Sequence, residues 1–372
     1  MKIEKLLKSR TLGSSINVKN PIVMAPMTTF SGNSDGTVSE SELSYYKARS
    51  KGVGMVITAT TYVSESGKGF PGQFAAYDTS FLPSLKKLAQ TIKGEGAIAI
   101  LQMFHGGRMA IPAEIPGGQT ISASAVAPER PGAMTPREMT ELEIQDIIKA
   151  FGKTAKLAIA AGFDGVEIHG ANTYLLQQFV SPHSNRRSDF WGGNVEKRMN
   201  FPLAVIAEVK KVVKEEAGAS FIIGYRFSPE ETENPGITLD DTLLFIDALA
   251  NQGLSYLHAS IMDFWQSSMR DTNSTSPIIC KILDQIHGRV PFIGVGSIHT
   301  PGDAIKVLDS GAAFVALGRE IIMEPDWAYK VQNENFSEIR TTLSKSRGKS
   351  LDIPEPLWNA IINTPGWFPL TE

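Results

Sequence analysis

The chain is most restricted by a beat of eight short apolar runs. They are "PIVMAPM" (21–27), "GMVITATTYV" (54–63), "AIAILQMFH" (97–105), "FDGVEIHG" (163–170), "FIIGYRFS" (221–228), "LSYLHASI" (254–261), "PFIGVGS" (291–297) and "AFVALGRE" (313–320). Between them lie stretches with helical spacing, such as "TELEIQDIIKAFGKTAKLAIAAG". There Leu142, Ile144, Ile147 and Ile148 mark an apolar face and Gly162 supplies the stop. Others are "SLKKLAQTIKGEG", "RMNFPLAVIAEVKKVVKEEAG", "TLDDTLLFIDALANQG" and "PGDAIKVLDSGA". Strand alternating with helix is the pattern of parallel strands joined by crossover helices. Open sheets of this class have about six strands, so eight units predict closure into an α/β fold, the (β/α)8 TIM barrel.

A chain of 372 residues suits one such barrel with insertions, so residues 1–372 are expected to form a single domain. Residues 106–139, rich in Gly, Pro and Ser, follow the third strand. They are too long for a plain connection and predict an active-site loop or small subdomain. Residues 330–372 read as a C-terminal extension that caps the barrel or contacts another subunit in a homo-oligomer. Hydrophobic residues at 42% supply a core, while a net charge of -3 with no long Lys/Arg block argues against a nucleic-acid partner. The one cysteine, Cys280, excludes an intrachain disulfide and any all-thiolate metal or iron-sulfur site within the chain. No metal site is expected. The first residues have no apolar core of signal-peptide length and no run approaches about 18 apolar residues, so a cytoplasmic protein without a membrane partner is expected.

Barrels of this kind assemble their chemistry at the C-terminal ends of the strands. The polar and small residues there are Thr28 after strand one, Thr60 in strand two, Gln102 and His105 closing strand three, and His169, Asn172 and Tyr174 at strand four. Arg226 ends strand five, Gly296 and Ser297 end strand seven, and Gly318 and Arg319 end strand eight. Glycines after strands seven and eight let the main chain approach a phosphate, and Arg319 can bind two of its oxygens. "GVGSIH" is not a full GxGxxG, and no strand-Gly-helix unit with a following acid lies near the N-terminus. A Rossmann dinucleotide site is therefore disfavoured.

If residues 169–174 form one helical turn, His169 and Asn172 stand at i and i+3 and can donate to a single oxygen. Two donors on one carbonyl polarise it, and Tyr174, whose phenol keeps its proton at neutral pH, can act as a general acid. An isolated HxxN is more often a satisfied structural pair, but Arg226 at the next strand end is a permanent cation that asks for an anionic partner. Such a site withdraws electrons from a carbonyl and delivers a proton, so something else must supply the electrons. A sugar-phosphate aldolase or isomerase is the competing use of such a barrel. It needs a lysine or carboxylate at a strand end, and none stands out.

The segments "NPIVMAPMT" (20–28), "ILQMFHGGR" (100–108), "EIHGANTYLLQQFVSPHSNRRSD" (167–189), "GYRFSP" (224–229), "GVGS" and "ALGRE" together resemble the old yellow enzyme family of FMN-dependent ene-reductases. The resemblance implies FMN across the barrel mouth, with its phosphate on Gly296, Ser297, Gly318 and Arg319. It implies Thr28 and Gln102 at the isoalloxazine edge, Pro26 and Thr60 lining the ring, and Arg226 beside its pyrimidine end, where a cation favours the reduced anion. His169 and Asn172 would hold the carbonyl oxygen of a small-molecule substrate such as an enone or quinone. Tyr174 would protonate Cα, and NADH or NADPH would first reduce the flavin in ping-pong turnover. An NAD(P)H oxidase, quinone reductase or nitro reductase would use the same site. Thr28 and Phe30 stand where one bacterial branch of the family has a cysteine and a tyrosine, so redox tuning through a thiol is absent. His183, Asn185, Arg186, Arg187 and Asp189 read as loop architecture.

Overall fold

The computed structural model describes residues 2–13, 16–346 and 348–372. Its centre is a closed barrel of parallel strands, β1 (Ile22–Met24), β2 (Met55–Tyr62), β3 (Ile98–Phe104), β4 (Gly165–Gly170), β5 (Ile222–Phe227), β6 (Tyr256–Ala259), β7 (Phe292–Val295) and β8 (Phe314–Leu317). Each strand pairs with its neighbour in sequence, and β8 closes on β1 through Val315↔Ile22, Ala316↔Val23 and Leu317↔Met24. All eight apolar runs become barrel strands, each shorter than the run that announced it. In β2, β4 and β5 every residue is buried, as a strand covered on one face by helices and on the other by the barrel interior requires.

The crossover helices are α1 (Glu40–Ser50), α2 (Leu82–Gly94), α3 (Glu141–Ala161), the short α4 (Leu175–Val180) with α5 (Asn200–Glu216), α6 (Leu239–Ala250), α7 (Ile278–Ile286) and α8 (Pro301–Asp309). Three of them start alike. Thr140, Thr238 and Thr300 cap α3, α6 and α8, each exchanging hydrogen bonds with an acid three residues on, Glu143, Asp241 and Asp303. Helix α3 ends at Gly162, whose φ of 85° is the left-handed conformation that glycine adopts without strain. One assignment on that helix changes. Leu142 is 69% exposed, whereas Ile144, Ile147 and Ile148 are buried, so the apolar stripe begins at Ile144 and continues through Phe151.

Residues 106–139 form 3-10 turns and two short strands, Ile121–Ser122 and Arg137–Glu138, paired in parallel. The segment after α4 holds them down. The Arg187 guanidinium donates to the carbonyls of Ala123 and Met139 and pairs with Asp189, and Ser124 Oγ accepts from the Arg186 N–H. Gln178 Oε1 accepts from both the Arg108 N–H and the Ser122 hydroxyl. The "SPHSNRRSD" block is thus a clamp for the long loop.

After β8 come α9 (Arg319–Met323) and, further on, α10 (Glu355–Asn363), and the tail then returns so that Leu343–Ser344 pairs with Leu370–Thr371. Arg49, fully buried on α1, donates to the carbonyls of Ile322 and Leu351 and so fastens this extension to the barrel wall. Among the described residues no helix is long and apolar enough to cross a membrane.

Gly224 of β5 makes room inside the barrel. A Cβ there would come 2.1 Å from the Tyr256 ring. Gly224→Ala is expected to cost about 1–3 kcal/mol through this overlap, seen as a lowered thermal midpoint of the full chain.

Candidate active site

A cavity of about 300 Å³ opens at the C-terminal ends of the strands, within the size range of small-molecule sites. Its walls include Asn172, Arg226, Ser260, Gly296, Ser297, Gly318, Arg319 and Trp367. A wider depression of about 540 Å³ between α1 and the C-terminal extension lies away from the strand ends. We place the chemistry in the smaller cavity because only it gathers residues from the mouth of the barrel.

The β7 and β8 ends form a cradle. Gly296 has φ 120°, and a Cβ on it would come 2.7 Å from the Phe264 nitrogen, so the sharp turn requires glycine. Ser297, at φ 48°, donates from Oγ to the Met262 carbonyl at 2.9 Å. Arg319 Nη2 reaches Ser297 Oγ at 3.3 Å, and Nη1 donates to the Trp367 carbonyl at 3.2 Å. Trp367 belongs to the extension after β8, which therefore caps this end of the cavity.

At β4 the sequence expectation is corrected. Residues 169–174 do not form a helical turn: His169 is still in β4, Asn172 and Thr173 are left-handed at φ 55° and 66°, and α4 begins only after Tyr174. Asparagine tolerates this conformation better than most side chains, which lets the strand reverse before the helix. His169 and Asn172 are accordingly positioned from different sides. Asn172 N–H donates to Ser228 Oγ at 2.9 Å and its Oδ1 accepts from Ser260 at 2.8 Å, leaving Nδ2 as the free donor. His169 Nδ1 accepts the Ala171 N–H at 3.2 Å, so its proton sits on Nε2. Its ring lies 5.3 Å from that of Tyr174, and Tyr174 packs edge-on against Phe104 at 4.5 Å. Neither His169 nor Tyr174 lines the cavity that holds Asn172 and Arg226.

Burial decides the protonation of this pair. Desolvation, helped by the Arg226 charge, pulls the His169 imidazole down to about 3, so it is neutral at physiological pH. Desolvation pushes the Tyr174 phenol up to about 12, so it keeps its proton. His105, whose Nδ1 accepts the Gly107 N–H at 3.0 Å and whose Nε2 faces Ser66 Oγ at 3.2 Å, is likewise neutral, pulled down to about 3 by burial. Those bonds make it a turn residue.

Beneath the mouth lies a polar layer that sequence reasoning missed. Glu167 and His258 are fully buried inside the barrel. Glu167 Oε1 accepts from Gln102 Nε2 at 2.6 Å, and Oε2 accepts from His258 Nδ1 at 2.9 Å. Despite its burial the Glu167 carboxyl is held below the usual range by His258, by Arg226 and by the Gln102 amide, so it is a carboxylate. Burial pulls the His258 imidazole down, while the Glu167 carboxylate beside it pulls the other way. Arg226 therefore has a nearby counter-charge, which the sequence reading did not give it. The signal was available: Glu167 is two residues before His169, so alternation turns both side chains to the same face of β4.

The other predicted positions are less engaged with the cavity. Pro26 is buried and Thr28 partly exposed on the segment after β1. A register shift between Ile57 and Thr60 places Thr60 opposite Gln102, and Thr60 Oγ1 accepts from Gln73 at 2.8 Å. Ser228, Ser260 and Trp367 carried no signal in the sequence, because each acts only through a partner distant along the chain.

The orphaned atoms fit a planar ring with its own donors and acceptors. Gln102 Oε1 and Arg226 Nε are buried without a hydrogen-bond partner among the described residues. With the glycine-lined cradle beside Arg319, this defines a cofactor-binding α/β-barrel enzyme. The chain belongs to the NADH:flavin oxidoreductase / NADH oxidase family, matched over residues 5–338.

It is 46% identical over 369 residues to a protein described as "Probable NADH-dependent flavin oxidoreductase YqiG" of Bacillus subtilis, covering 99% of this chain and 98% of that one. It is also 46% identical over 352 residues to the NADH:acrylate oxidoreductase of Vibrio harveyi, covering 93% of this chain and 34% of that protein, about a third of its length. The solved old yellow enzyme homologue from Zymomonas mobilis superposes with a TM-score of 0.76 at 25% identity, over 89% of this chain and 93% of that one. The old yellow enzyme resemblance is thereby borne out. The protein is an oxidoreductase, and its family implies FMN with NADH or NADPH as electron donor.

An unfolded histidine takes up a proton below about 6.5, whereas folded His105 and His169 stay neutral down to about 3. The unfolded chain then binds more protons in that window, so their contribution to stability is lost as pH falls through it, by about 1.4 kcal/mol per pH unit for each histidine. Glu42, buried and pushed up to about 7, acts in the opposite sense between about 4.5 and 7. Comparing denaturant midpoints of the wild type and His169→Asn from pH 7 to 4 isolates one histidine, and the variant is expected to show the shallower decline.

Proposed function

We propose that the protein is an FMN-dependent ene-reductase that passes electrons from NADH or NADPH to the activated C=C bond of α,β-unsaturated carbonyl compounds in ping-pong turnover. The observation that carries this reading is the β4 end, where His169 Nδ1 is taken by the Ala171 N–H and its ring stands 5.3 Å from that of Tyr174. An imidazole kept neutral and a phenol kept protonated are hydrogen-bond and proton donors, while the only buried carboxylate of the layer is already committed to Gln102 and His258. A site so equipped polarises and protonates, and the carboxylate on the cavity wall, Glu320, is paired with His299 Nδ1 at 3.0 Å. The Vibrio relative's name, with acrylate as an activated alkene, supports the same reading.

In this reading the cradle of Gly296, Ser297, Gly318 and Arg319 holds the FMN phosphate through main-chain N–H groups and a guanidinium. Thr28 and Gln102 would hydrogen-bond the edge of the ring and Arg226 would stand at its pyrimidine end, with Pro26 and Thr60 lining it. Bound FMN supplies a hydride obtained from NADH or NADPH. His169 Nε2–H and Asn172 Nδ2–H hold the substrate carbonyl oxygen and withdraw charge from the double bond. Tyr174 gives its proton to Cα, and the Phe104 ring fixes the direction of the phenol. Arg226 offsets negative charge that builds on the ring side of the site.

Incubating the purified chain with FMN is expected to give a yellow complex that bleaches under NADH or NADPH and recovers on adding 2-cyclohexenone. A protein that binds no flavin, or one whose colour is indifferent to both nicotinamides, would sink the reading. Tyr174→Phe is expected to leave flavin reduction by NAD(P)H within about twofold of the wild type. It should slow reoxidation by the enone by about 10² or more, the range of general acid catalysis. Stopped-flow absorbance separates the two half-reactions, and equal losses in both would contradict the proton-donor role.

A further inference from the structure

The layer under the mouth holds a carboxylate that lines no cavity, yet it bonds to Gln102 and faces Arg226, the two side chains that would meet the ring. Glu167 is 0% exposed and its two oxygens are divided, one to Gln102 Nε2 at 2.6 Å and one to His258 Nδ1 at 2.9 Å. Strand register explains the grouping. Gln102 on β3 pairs with Glu167 on β4, Glu167 pairs with Gly224 on β5, and Gly224 with Tyr256 on β6, so these positions share one layer. His169, Arg226 and His258 form the next layer through the pairs His169↔Arg226 and His258↔Arg226. Gly224 brings no side chain to the lower layer, and the Tyr256 ring fills that space against Glu167.

An amide can present either of its ends, and the choice matters to a ligand. A carboxylate only accepts hydrogen bonds, so Glu167 forces the Gln102 amide to turn Nε2 toward it. This leaves Oε1 buried, unpartnered and accepting only. The oxidised isoalloxazine ring carries a single N–H, the imide, and an acceptor fixed in this way reads that proton. Arg226, whose Nε is also orphaned, makes no ion pair with Glu167, but a buried negative charge so close offsets part of its field.

We infer that Glu167 is a positioning residue for the cofactor: through Gln102 it selects a ring bearing an imide N–H, and through Arg226 it sets how strongly reduction of that ring is favoured. The inference rests on the FMN reading above and adds a residue that never touches FMN or substrate. Glu167→Gln removes the charge and lets the facing amides pair either way, so Gln102 loses its imposed orientation. Glu167→Asp keeps the charge and shortens the reach to Gln102.

The test uses the full chain, stripped of flavin and retitrated with FMN and with N3-methyl-FMN by flavin fluorescence, together with the midpoint potential of each FMN complex. Wild type is expected to prefer FMN to the methylated analogue by about tenfold or more, the value of one good hydrogen bond. In Glu167→Gln that preference should fall toward unity and the midpoint potential should rise. In Glu167→Asp the preference should fall while the potential stays within error of wild type. If wild type binds no FMN, the proposed function fails and takes this inference with it. If wild type binds FMN but Glu167→Gln changes neither preference nor potential, this inference alone is overturned. Should Glu167→Gln not fold, Glu167→Asp decides by the same measurements: a lost preference supports the role of Glu167, and an unchanged one refutes it.

Discussion

The hydrogen-bond register between neighbouring strands is the constraint on which the rest of this structure depends. In a closed parallel barrel each strand is held on both edges, so a slip of one residue would turn every interior side chain outward. Held in place, β3, β4, β5 and β6 put Gln102 against Glu167 and His169 and His258 against Arg226. Residues scattered over more than 150 positions of chain thus become two adjacent polar layers, closed below by Val23, Ile57, Ile100, Ile222 and Ile293. The apolar layers supply stability, and the polar ones sit where the barrel opens.

Low dielectric then gives those layers their chemistry. A carboxylate, a guanidinium and three imidazoles inside one barrel end would be costly if all were charged. The arrangement avoids this by keeping His105 and His169 neutral and by setting the Glu167 carboxylate against Arg226 and His258. The same desolvation that makes His169 a neutral donor keeps the Tyr174 phenol protonated. A single physical cause, exclusion of water from the β3 and β4 ends, sets the protonation of both groups to which the proposed function gives the substrate.

The surrounding segments serve that exclusion. Arg187 and Gln178 hold residues 106–139 down beside β4, and the extension after β8 returns to place Trp367 over the cradle, with Arg49 tying it to the barrel wall. Both were visible in the sequence only as irregular, Pro- and Gly-containing stretches. Their attachments run through side chains to carbonyl groups far along the chain, and such bonds leave no periodicity to read. The same holds for Ser228 and Ser260, which orient Asn172.

By itself, the sequence determined the eight strands, their order and the residues at their ends, because apolar alternation and helix caps are local signals that survive without knowledge of neighbours. It also carried the family through the "EIHGANTYLL" block and its companions. Only the tertiary structure decided how those ends face one another: that Asn172 sits on a left-handed reversal and not on a helical turn, that Leu142 lies outside its stripe, and that Glu167 stands between Gln102 and His258. Direction of a side chain past the last paired residue depends on contacts from other strands, and burial, which sets charge here, exists only once the barrel has closed.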